Sequence, residues 1–373
     1  MPGKIKVLYT IPNFDTAGSG KALLKIASRL DKTLFEPHIC CFHDKGEFFK
    51  IVKSSGIPVH LYPYTTPMIP RLRGVKNAWK ISRFFKKGAF DLIHSFHYAD
   101  DYSEGLAARL AGIKWVFTKK NMNWGASSWK LRSKIASGIV AQNTDMIKDF
   151  FPGFKNVALI GRGVDTSEFK PLSPATHLID EFNLPAEAKV ILMVANLVPV
   201  KGAEVLLEAF NTIANRFDNL YLFYVGDNQS DYGDEIKSLA AQSPKNDRII
   251  FTGKRLDVKD FHSITDIFVL PTLDEGRREG SPVSLLEAMA SGSFSLASDV
   301  PGIRDQLSSL QDQLFSPASG RELSDKLSKY LSYEEESMKS LIEDQLRVVR
   351  EKFTIEREVK DHENFYLKIL GKS

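Results

Sequence analysis

Short apolar runs rich in β-branched and aromatic residues alternate with amphipathic segments along the first half of the chain. An alternation of this kind predicts a parallel sheet wound with helices on both faces. The predicted strands span residues 5–11, 37–42, 59–62, 92–96, 115–118, 138–141 and 157–160. The predicted helices between them span residues 21–30, 47–55, 75–86, 103–111 and 144–150.

The same pattern starts again after a proline-rich stretch at 170–185. The strands predicted there span residues 190–196, 220–225, 249–252, 267–271 and 294–297, and an amphipathic helix spans 204–216. We therefore expect an α/β protein with two doubly wound domains, 1–170 and 171–352, which face a cleft. Residues 353–373 are too polar for a core strand, and we expect a C-terminal helix that crosses back to the N-terminal domain.

Composition indicates a soluble protein of a reducing compartment. Hydrophobic residues make up 43% of the chain and charged residues 26%, and no apolar run reaches the roughly 18–20 residues of a membrane span. The two cysteines, Cys40 and Cys41, are adjacent, whereas a disulfide framework needs separated pairs. The N-terminus has no signal-peptide pattern. We expect a cytoplasmic location.

Charge is divided unevenly along the chain. Residues 1–170 hold 27 Lys and Arg against 13 Asp and Glu, a net +14, and the remainder holds 23 against 33, a net −10. The windows 64–90 and 105–144 each hold seven basic residues and no acidic one. These windows are either solvated helix faces or a surface for an anionic membrane, lipid or glycan. The balanced total argues against a nucleic-acid partner.

One basic window predicts a specific helix face. Lys76, Lys80, Arg83 and Lys87 recur at spacings of four, three and four residues and line one side of a helix. In a membrane-docking helix, Trp79 with residues 84–85 would enter the lipid interface. In the alternative, Trp79, Ile81 and Phe85 pack on the sheet and only the charges meet water.

The stretch DTAGSGKALL, residues 15–24, resembles a phosphate-binding P-loop. A P-loop requires glycine where Asp15 stands and a hydroxyl for Mg²⁺ where Ala22 stands. A carboxylate at the first position would repel phosphate, so we exclude this class of site. The stretch remains a small-residue turn before a helix.

The stretch PTLDEGRREGSPVSLLEAMASG, residues 271–292, is the most informative. Ser281 is a good N-cap and Pro282 a good first residue of a helix, so free amides there favour a phosphate. Glu279 and Glu287 flank this helix start and can accept hydrogen bonds from hydroxyl groups. The pattern predicts a nucleotide-sugar; the alternative is a capped helix with solvated carboxylates.

A second strand end carries a cation. The stretch VANLVPVKG, residues 194–202, passes from a strand through a short loop to Lys201 at the next helix start. A lysine in this place can reach a diphosphate, although a lysine at a helix start is often only solvated.

Together these stretches resemble glycosyltransferase family 4, the retaining nucleotide-sugar glycosyltransferases with two Rossmann-like domains of the GT-B fold. The resemblance covers nearly the whole chain. Its most specific mark is the pair Glu279 and Glu287, in which Glu287 begins the block EAMASG at 287–292. Further matching blocks, in chain order, are FDLIHSFH at 90–97, GRGVDTSEFKP at 161–171, VPVKGAEVLLEAF at 198–210 and FTGKRLDV at 251–258.

The resemblance implies a role for each matching residue. Glu287 would bind the ribose hydroxyls, Glu279 the hydroxyls of the transferred sugar, and Lys201 the departing diphosphate. The remaining implied contacts are with the backbone of the loops and with one histidine. They comprise the backbone of Gly280, Ser281, Pro282 and Val283 for sugar and phosphate, in which every residue except the proline offers an N–H group, Gly253 and Lys254 for the base, Gly18 and Ser19 for the diphosphate or acceptor, and His97 for the acceptor or the sugar.

The chain departs from the family at three points. Asn196 stands where many members have an arginine, and Lys254 or Arg255 could replace the missing charge. Lys119, Lys120 and Asn121 stand where a histidine is frequent, on the side expected for the acceptor. The loop before Glu279 has extra residues, 276–278, and a second carboxylate, Glu275.

The resemblance implies transfer of a sugar from a UDP- or GDP-sugar to the hydroxyl of a glycan or a lipid-linked acceptor, with retention at the anomeric carbon. No cofactor or metal is implied, since the chain has no Asp-x-Asp and Lys201 with a helix dipole can stabilise the leaving group. The expected setting is synthesis of bacterial-type cell-surface polysaccharide, lipopolysaccharide or glycolipid. The alternatives are a nucleotide-sugar 2-epimerase, a glucan synthase, or a nucleotide-sugar-binding scaffold without activity.

Overall fold

The computed structural model describes residues 3–15, 17–97, 101–276 and 278–372. Contacts divide the chain into two compact units. The first holds the residues up to Gly161 and those from Ile355 onward, and the second holds Arg162–Thr354. Each unit is built around one parallel sheet.

The first unit contains a seven-stranded parallel sheet in the order β3-β2-β1-β4-β5-β6-β7. The strands are β1 Ile5–Thr10, β2 Phe35–Cys41, β3 Val59–Leu61, β4 Leu92–Ser95, β5 Lys114–Lys119, β6 Gly138–Ala141 and β7 Val157–Leu159. The helices between them are α1 Ala17–Arg29, α2 Glu47–Ser54, α3 Arg71–Gly88, α4 Ser103–Ala111, α5 Trp129–Ile135 and α6 Thr144–Phe150. The order reverses direction at β1 and β4, which makes the sheet doubly wound.

The second unit contains a six-stranded parallel sheet in the order β10-β9-β8-β11-β12-β13. The strands are β8 Lys189–Val194, β9 Leu220–Val225, β10 Ile249–Gly253, β11 Ile267–Leu270, β12 Phe294–Ser298 and β13 Leu314–Phe315. The helices of this unit are α7 Thr176–Glu181, α8 Ala203–Ile213, α9 Asp231–Ala241, α10 Val258–Ser263, α11 Val283–Ser291, α12 Ile303–Gln306, α13 Gly320–Leu331 and α14 Glu335–Lys352. The predicted fold class, α/β with two doubly wound parallel sheets, is confirmed.

Helices cover both faces of each sheet, so the strands are buried on both sides. In β1, Val7 and Tyr9 belong to the core on one face and Leu8 to the core on the other. In β8, Ile191 and Met193 face one core and Leu192 the opposite one. Strands of this kind appear in a sequence as continuous apolar runs, which explains why they were predictable.

The last helix, α15 Ile355–Leu370, belongs to the first unit. Its buried face joins the core of β1 and α1, and the hydroxyl of Tyr366 lies 3.1 Å from that of Tyr9 and 2.5 Å from Nδ1 of His94. Glu363 accepts a hydrogen bond of 2.7 Å from the amide of Asp31. Polar bonds as well as apolar packing therefore hold this amphipathic helix against the sheet.

Three local predictions differ from the structure. The first helix begins at Ala17, so Gly18 and Ser19 lie in its first turn rather than in the predicted open turn before it. Helix α5 and strand β13 were not predicted. Both are short, and α5 has no clear apolar period. None of the described helices combines the length and apolar character that a membrane span requires.

Candidate functional site

Lys201 and Glu279 form an ion pair at the carboxyl ends of two neighbouring strands. Lys201 ends a 3₁₀ turn that follows β8, and Glu279 lies in the loop between β11 and α11. Both side chains are mostly buried, with 17% and 27% of their surfaces exposed. Partial burial reduces solvent screening, so this pair is held more firmly than one on an open surface.

Two glycines let the loops approach closely enough for this contact. Gly202 has φ +64°, and a Cβ there would collide with the carbonyl oxygen of Pro271. Leu273 also donates its amide hydrogen to the carbonyl of Val200 at 2.9 Å. Gly302, with φ +84°, allows a similar approach to the carbonyl oxygen of Gly280. The loop that carries Glu279 is thus fixed on two sides by backbone contacts.

The start of α11 differs from the predicted cap. The N-cap is Pro282, in an extended conformation with ψ 125°, and no side chain caps the helix. The Ser281 hydroxyl accepts hydrogen bonds from the amide of Arg162 at 3.1 Å and from Nε2 of Gln306 at 3.0 Å. The prediction of Ser281 as the N-cap is therefore wrong, because its oxygen binds other partners.

The start of α11 still has the amides and the positive dipole end on which the prediction of an anion site depended. The first amides of a helix have no partner within the helix, and they carry its positive dipole end. No acidic side chain lies in the first turn of α11. Val283 and Ser284 are partly buried there, and Glu287, the fifth residue of the helix, is also partly buried between buried neighbours on each side.

Asn196, Asp227 and Lys254 meet at the ends of β8, β9 and β10. Asn196 accepts a hydrogen bond of 3.1 Å from the amide of Asp227, and Lys254 lies 2.9 Å from the Asp227 carboxylate. Gly253, with φ +70°, ends β10 at a register shift and accepts a bond of 2.9 Å from the amide of Gly226. Lys254 thus contacts Asp227, whose amide in turn binds Asn196.

Arg255 points to a different set of acids. Its guanidinium binds both carboxylate oxygens of Glu181, at 2.7 and 3.0 Å, and both of Asp257, at 2.9 and 2.7 Å. These bonds raise the pKa of Arg255 and hold the pKa of Asp257 below its usual range. Two carboxylates hold the Arg255 side chain, whereas Lys254 has one carboxylate partner and is mostly exposed, so Lys254 is the better replacement for an arginine at 196.

His177, Asp257 and Asp260 bring potential metal-ligating atoms within 4.8 Å of one another. Arg255 binds Asp257 of this group, and a guanidinium beside the site opposes a cation. We therefore assign no metal to these residues.

His97, two residues beyond β4, lines a cavity of about 640 Å³ in the first unit. The cavity is also lined by Thr65, Thr66, Met68, Arg71 and Asp101. The ring contacts Phe42 and Tyr64 edge to face, and its buried Nδ1 has no hydrogen-bond partner among the described residues. Burial, with smaller effects of Arg132 and Lys120, lowers the pKa of His97 to about 4. His97 is therefore neutral at pH 7.

The three residues predicted on the acceptor side point in different directions. Lys119 is buried, with Nζ 3.8 Å from the centre of the Trp124 ring, and it donates to Oδ1 of Asn121 at 2.9 Å and to the carbonyl of Asn123. Lys120 instead reaches the hydroxyl of Ser19 at 3.2 Å and the carbonyl of Phe96 at 2.6 Å. The structure thus brings Lys120, Ser19 and the segment before His97 together, and directs Lys119 away from them.

A buried polar network beneath His97 was missed by sequence reasoning. Glu104 accepts hydrogen bonds from Thr10 at 2.5 Å and Ser95 at 2.6 Å. Arg132 donates to Ser95 at 3.2 Å and to the carbonyl of Asp101 at 2.5 Å. Burial raises the pKa of Glu104, while the charge of Arg132 and the hydroxyl bonds oppose that rise. The sequence signal was weak: Glu104 lies in the mostly apolar helix α4, whereas Arg132 lies between two lysines of α5.

The last predictions for the site concern the start of α1 and the loop before Glu279. Gly18 is exposed in the first turn of α1, and a side chain there would meet open space. Thr16 of the first loop and Arg277 of the inserted loop lie outside the described residues.

Two family models match separate parts of the chain. The model described as Glycosyltransferase Family 4 matches residues 16–168, and the model described as Glycosyl transferases group 1 matches residues 176–345. Each match falls within one repeat of the α/β pattern, and together they cover most of the chain.

Relatives agree with these matches. The chain is 24% identical over 315 residues to a Campylobacter jejuni enzyme, N,N'-diacetylbacillosaminyl-diphospho-undecaprenol alpha-1,3-N-acetylgalactosaminyltransferase, covering 78% of this chain and 81% of that protein. Two other curated relatives are matched over only 40% and 64% of their own length.

Solved structures show the same fold. A glycosyltransferase from Rickettsia africae superposes with a TM-score of 0.87 at 21% identity, over 99% of this chain and 100% of that chain. HepE from Anabaena, in complex with UDP and glucose, gives a TM-score of 0.80 at 16% identity, over 96% and 98% of the two chains. The chain therefore belongs to the glycosyltransferases of the family 4 type, with the two-domain GT-B fold.

Proposed function

We propose that this protein transfers a sugar from a nucleoside-diphosphate sugar to a hydroxyl group of a glycan or lipid-linked acceptor, with retention at the anomeric carbon. One observation carries the proposal: Lys201 contacts Glu279 three residues before the N-cap of α11. A cation thus contacts the loop that carries a carboxylate and leads into the first amides of a helix, and this arrangement suits phosphates next to a sugar.

The reaction breaks the bond between the anomeric carbon and the diphosphate oxygen and forms a bond from the acceptor oxygen on the same face of the sugar. The acceptor proton passes to a phosphate oxygen of the leaving diphosphate, so no base from the protein is required. Charge develops on the diphosphate as the bond breaks, and fixed positive groups at that position contribute the largest catalytic effect. We assign this task to Lys201 and the amides of α11, without a metal.

The donor contacts that we propose follow the family resemblance and the local geometry. Glu287 binds the ribose hydroxyls and Glu279 those of the sugar. The backbone at Gly253 reads the base, and Lys254, beside Asn196, supplies charge near the nucleotide. The complex of HepE with UDP and glucose supports a nucleotide donor.

We assign the acceptor to the first unit, at the cavity of His97. A neutral imidazole can accept a hydrogen bond from a hydroxyl or donate one to it, and the buried Nδ1 of His97 has no competing partner among the described residues. The name of the Campylobacter relative supports a lipid-linked acceptor, since that enzyme acts on a diphospho-undecaprenol sugar. The setting is bacterial-type polysaccharide, lipopolysaccharide or glycolipid synthesis.

The test begins with a thermal-shift screen of the full chain against UDP- and GDP-sugars. A ligand at about 100 times its Kd stabilises a protein by about 2.7 kcal/mol. The donor found is then incubated with candidate acceptors, and NMR identifies the anomeric configuration of the first product. Retention of the donor configuration is the expected result.

Three other results separate the rival functions. An inverted product excludes the retaining reaction but keeps the transferase. Conversion of the donor to an isomer without acceptor indicates a 2-epimerase. Donor binding without transfer to any acceptor of the panel indicates a scaffold. In a scaffold, Glu287→Gln would change only the affinity for the donor.

A further inference from the structure

Helix α3 exposes an apolar ridge that a water-facing helix of a monomer does not need. The ridge consists of Ile69, just before the helix, and Leu72, Val75 and Trp79, which are 88%, 89%, 48% and 53% exposed. The opposite side of α3, formed by Ala78, Ile81 and Phe85 among others, is buried against the first unit. Contiguous exposed apolar side chains usually mark a contact surface.

Basic side chains surround this ridge. The window 64–90 holds seven basic residues and no acidic one, and all seven are exposed on α3. Among the described residues, none of these seven is ion-paired with a carboxylate. The guanidinium of Arg83 lies over the Trp79 ring, 5.2 Å from its centre, so a cation and an aromatic side chain form one unit of this surface. The seven are Arg71, Arg73, Lys76, Lys80, Arg83, Lys86 and Lys87.

The structure contradicts one part of each of the two roles predicted for this helix. Phe85 is fully buried, and Phe84 stacks on Tyr62 with ring centres 4.0 Å apart, so the prediction that residues 84–85 enter a lipid interface is wrong. Trp79 does not pack on the sheet. The apolar centre of the exposed face lies instead at the beginning and middle of α3, where Leu72, Val75 and Trp79 share one side with Lys76 and Arg83.

We propose that this face of α3, from Ile69 to Lys87, docks on an anionic lipid bilayer. Leucine, valine and tryptophan side chains enter the boundary between head groups and acyl chains, while long basic side chains bind lipid phosphates around them. Lysine and arginine can keep their charges at that depth by extending towards water.

Charge complementarity favours this occupant over two others. A symmetric contact with a second copy of the chain would place seven positive charges opposite the same seven. A nucleic acid would leave the apolar ridge against phosphates and sugars. An anionic bilayer satisfies both the ridge and the charges.

The docking surface is continuous with the cavity of His97. Ile69 and Arg71 belong to the surface, and both also line the cavity. A lipid-linked acceptor held in the bilayer would therefore have its head group beside this cavity while its chain stayed in the membrane. This placement of the acceptor rests on the proposed transfer reaction, whereas docking on the bilayer requires neither donor nor acceptor.

Vesicle co-sedimentation of the full chain tests docking. We expect binding to vesicles of phosphatidylcholine mixed with phosphatidylglycerol, little binding to phosphatidylcholine alone, and loss of binding as salt rises. Trp79→Glu should lower the partition coefficient about tenfold or more, and Lys76→Glu with Lys80→Glu should do the same. The matched controls lie on α2: Ile51→Glu, at a side chain 54% exposed, and Lys50→Glu with Lys53→Glu should bind as the unchanged protein does.

Absence of binding at low salt, or equal binding of the α3 and α2 variants, would overturn the proposal. Self-association that Trp79→Glu abolishes, without vesicle binding, would show that a second copy covers the ridge and would also overturn it. Circular dichroism of each variant shows that a loss of binding is not unfolding.

A comparison of acceptors separates docking from the transfer reaction. If both proposals hold, Trp79→Glu slows transfer to a vesicle-embedded lipid-linked acceptor but not to a short water-soluble analogue. Vesicle binding without any transfer would keep the docking surface and reject the proposed function. Equal slowing of both acceptors would reject the continuity between the surface and the cavity.

Discussion

The ammonium group of Lys201 is bound by the carboxylate of Glu279. Both residues were predicted to contact a donor, one at its diphosphate and the other at its sugar, and the structure pairs them with each other. A phosphate that binds Lys201 must compete with this carboxylate. If Lys201 binds the diphosphate and Glu279 the sugar, as we propose, diphosphate binding would release Glu279 towards the sugar hydroxyls.

This coupling predicts opposite effects on binding for the two partners. Lys201→Ala should weaken binding of the nucleoside diphosphate by roughly 1.5–3 kcal/mol, the usual contribution of a hydrogen bond to a charged group. Glu279→Gln should instead leave that affinity equal or higher, because the competing charge is gone, while transfer falls. Calorimetry with the free diphosphate measures both.

Lys259→Ala serves as the control, since this exposed lysine lies on α10 and should bind as the unchanged protein does. Equal weakening by Lys201→Ala and Glu279→Gln would mean that the pair only supports the loop, and the coupling would then be rejected.

Glu287 should affect the nucleoside part of the donor. Glu287→Gln removes a charged acceptor for the ribose hydroxyls and should weaken binding of nucleoside diphosphate and nucleotide-sugar alike, by about 1.5–3 kcal/mol. Glu235→Gln, on the exposed side of α9, is the matched control. Unchanged affinity of Glu287→Gln would remove this residue from the donor site.

The sequence was sufficient to predict the two sheets and the strand ends that carry the candidate residues. Strands covered on both faces are nearly continuous apolar runs, and the residues after them are polar or small, so both signals are local. The contact between Lys201 and Glu279 was not predictable, because it depends on Gly202 bringing two loops together that are far apart in the sequence.

The buried network below His97 shows the same limit. Arg132 lies on α5, a short helix without apolar period, and its burial makes sense only beside Ser95 and the carbonyl of Asp101. The predicted N-cap of α11 was wrong for a related reason. Ser281 is a good N-cap by local preference, but the amide of Arg162 and the side chain of Gln306 bind its oxygen instead.

Arg132 and Glu104 should behave as one buried charged unit. Arg132→Met leaves the carboxylate of Glu104 without its compensating charge and should lower the free energy of unfolding by about 3–5 kcal/mol. Adding Glu104→Gln should recover part of this loss, because the unpaired charge is removed. Urea unfolding of the two single variants and the double variant measures the coupling. A double variant with the summed loss of both single variants would show that the two side chains contribute independently.

Transfer should persist after a metal chelator is added. In the proposed reaction Lys201 and the positive end of α11 stabilise the developing charge on the diphosphate, and the chain has no Asp-x-Asp to hold a divalent ion. Initial rates with and without EDTA should agree within error. If the rate collapses and Mg²⁺ or Mn²⁺ restores it, the metal-free assignment of Lys201 is wrong.

The titration of His97 should affect stability in acid and should not appear in the pH profile of transfer near neutral pH. Its pKa is lowered from 6.5 to about 4 in the folded protein, chiefly by burial. Between these values the unfolded chain binds more protons than the folded chain, so this residue makes the protein less stable as pH falls. His97→Gln removes that contribution, so its loss of stability between about pH 7 and about pH 4.5 should be smaller by about 2–3 kcal/mol. His94 and His262, whose pKa values are also lowered by burial, remain in both proteins and cancel in the comparison. His177→Gln, at a side chain 57% exposed, is the control.

Urea unfolding at several pH values measures this difference in stability. The pH profile of the transfer rate is a second measurement: any step in the rate between about pH 5.5 and 8 should also be present in His97→Gln. A pH dependence of stability that is the same in both proteins, or a step in the rate that is lost with His97, would show that this histidine titrates near neutrality and so carries a charge in the site.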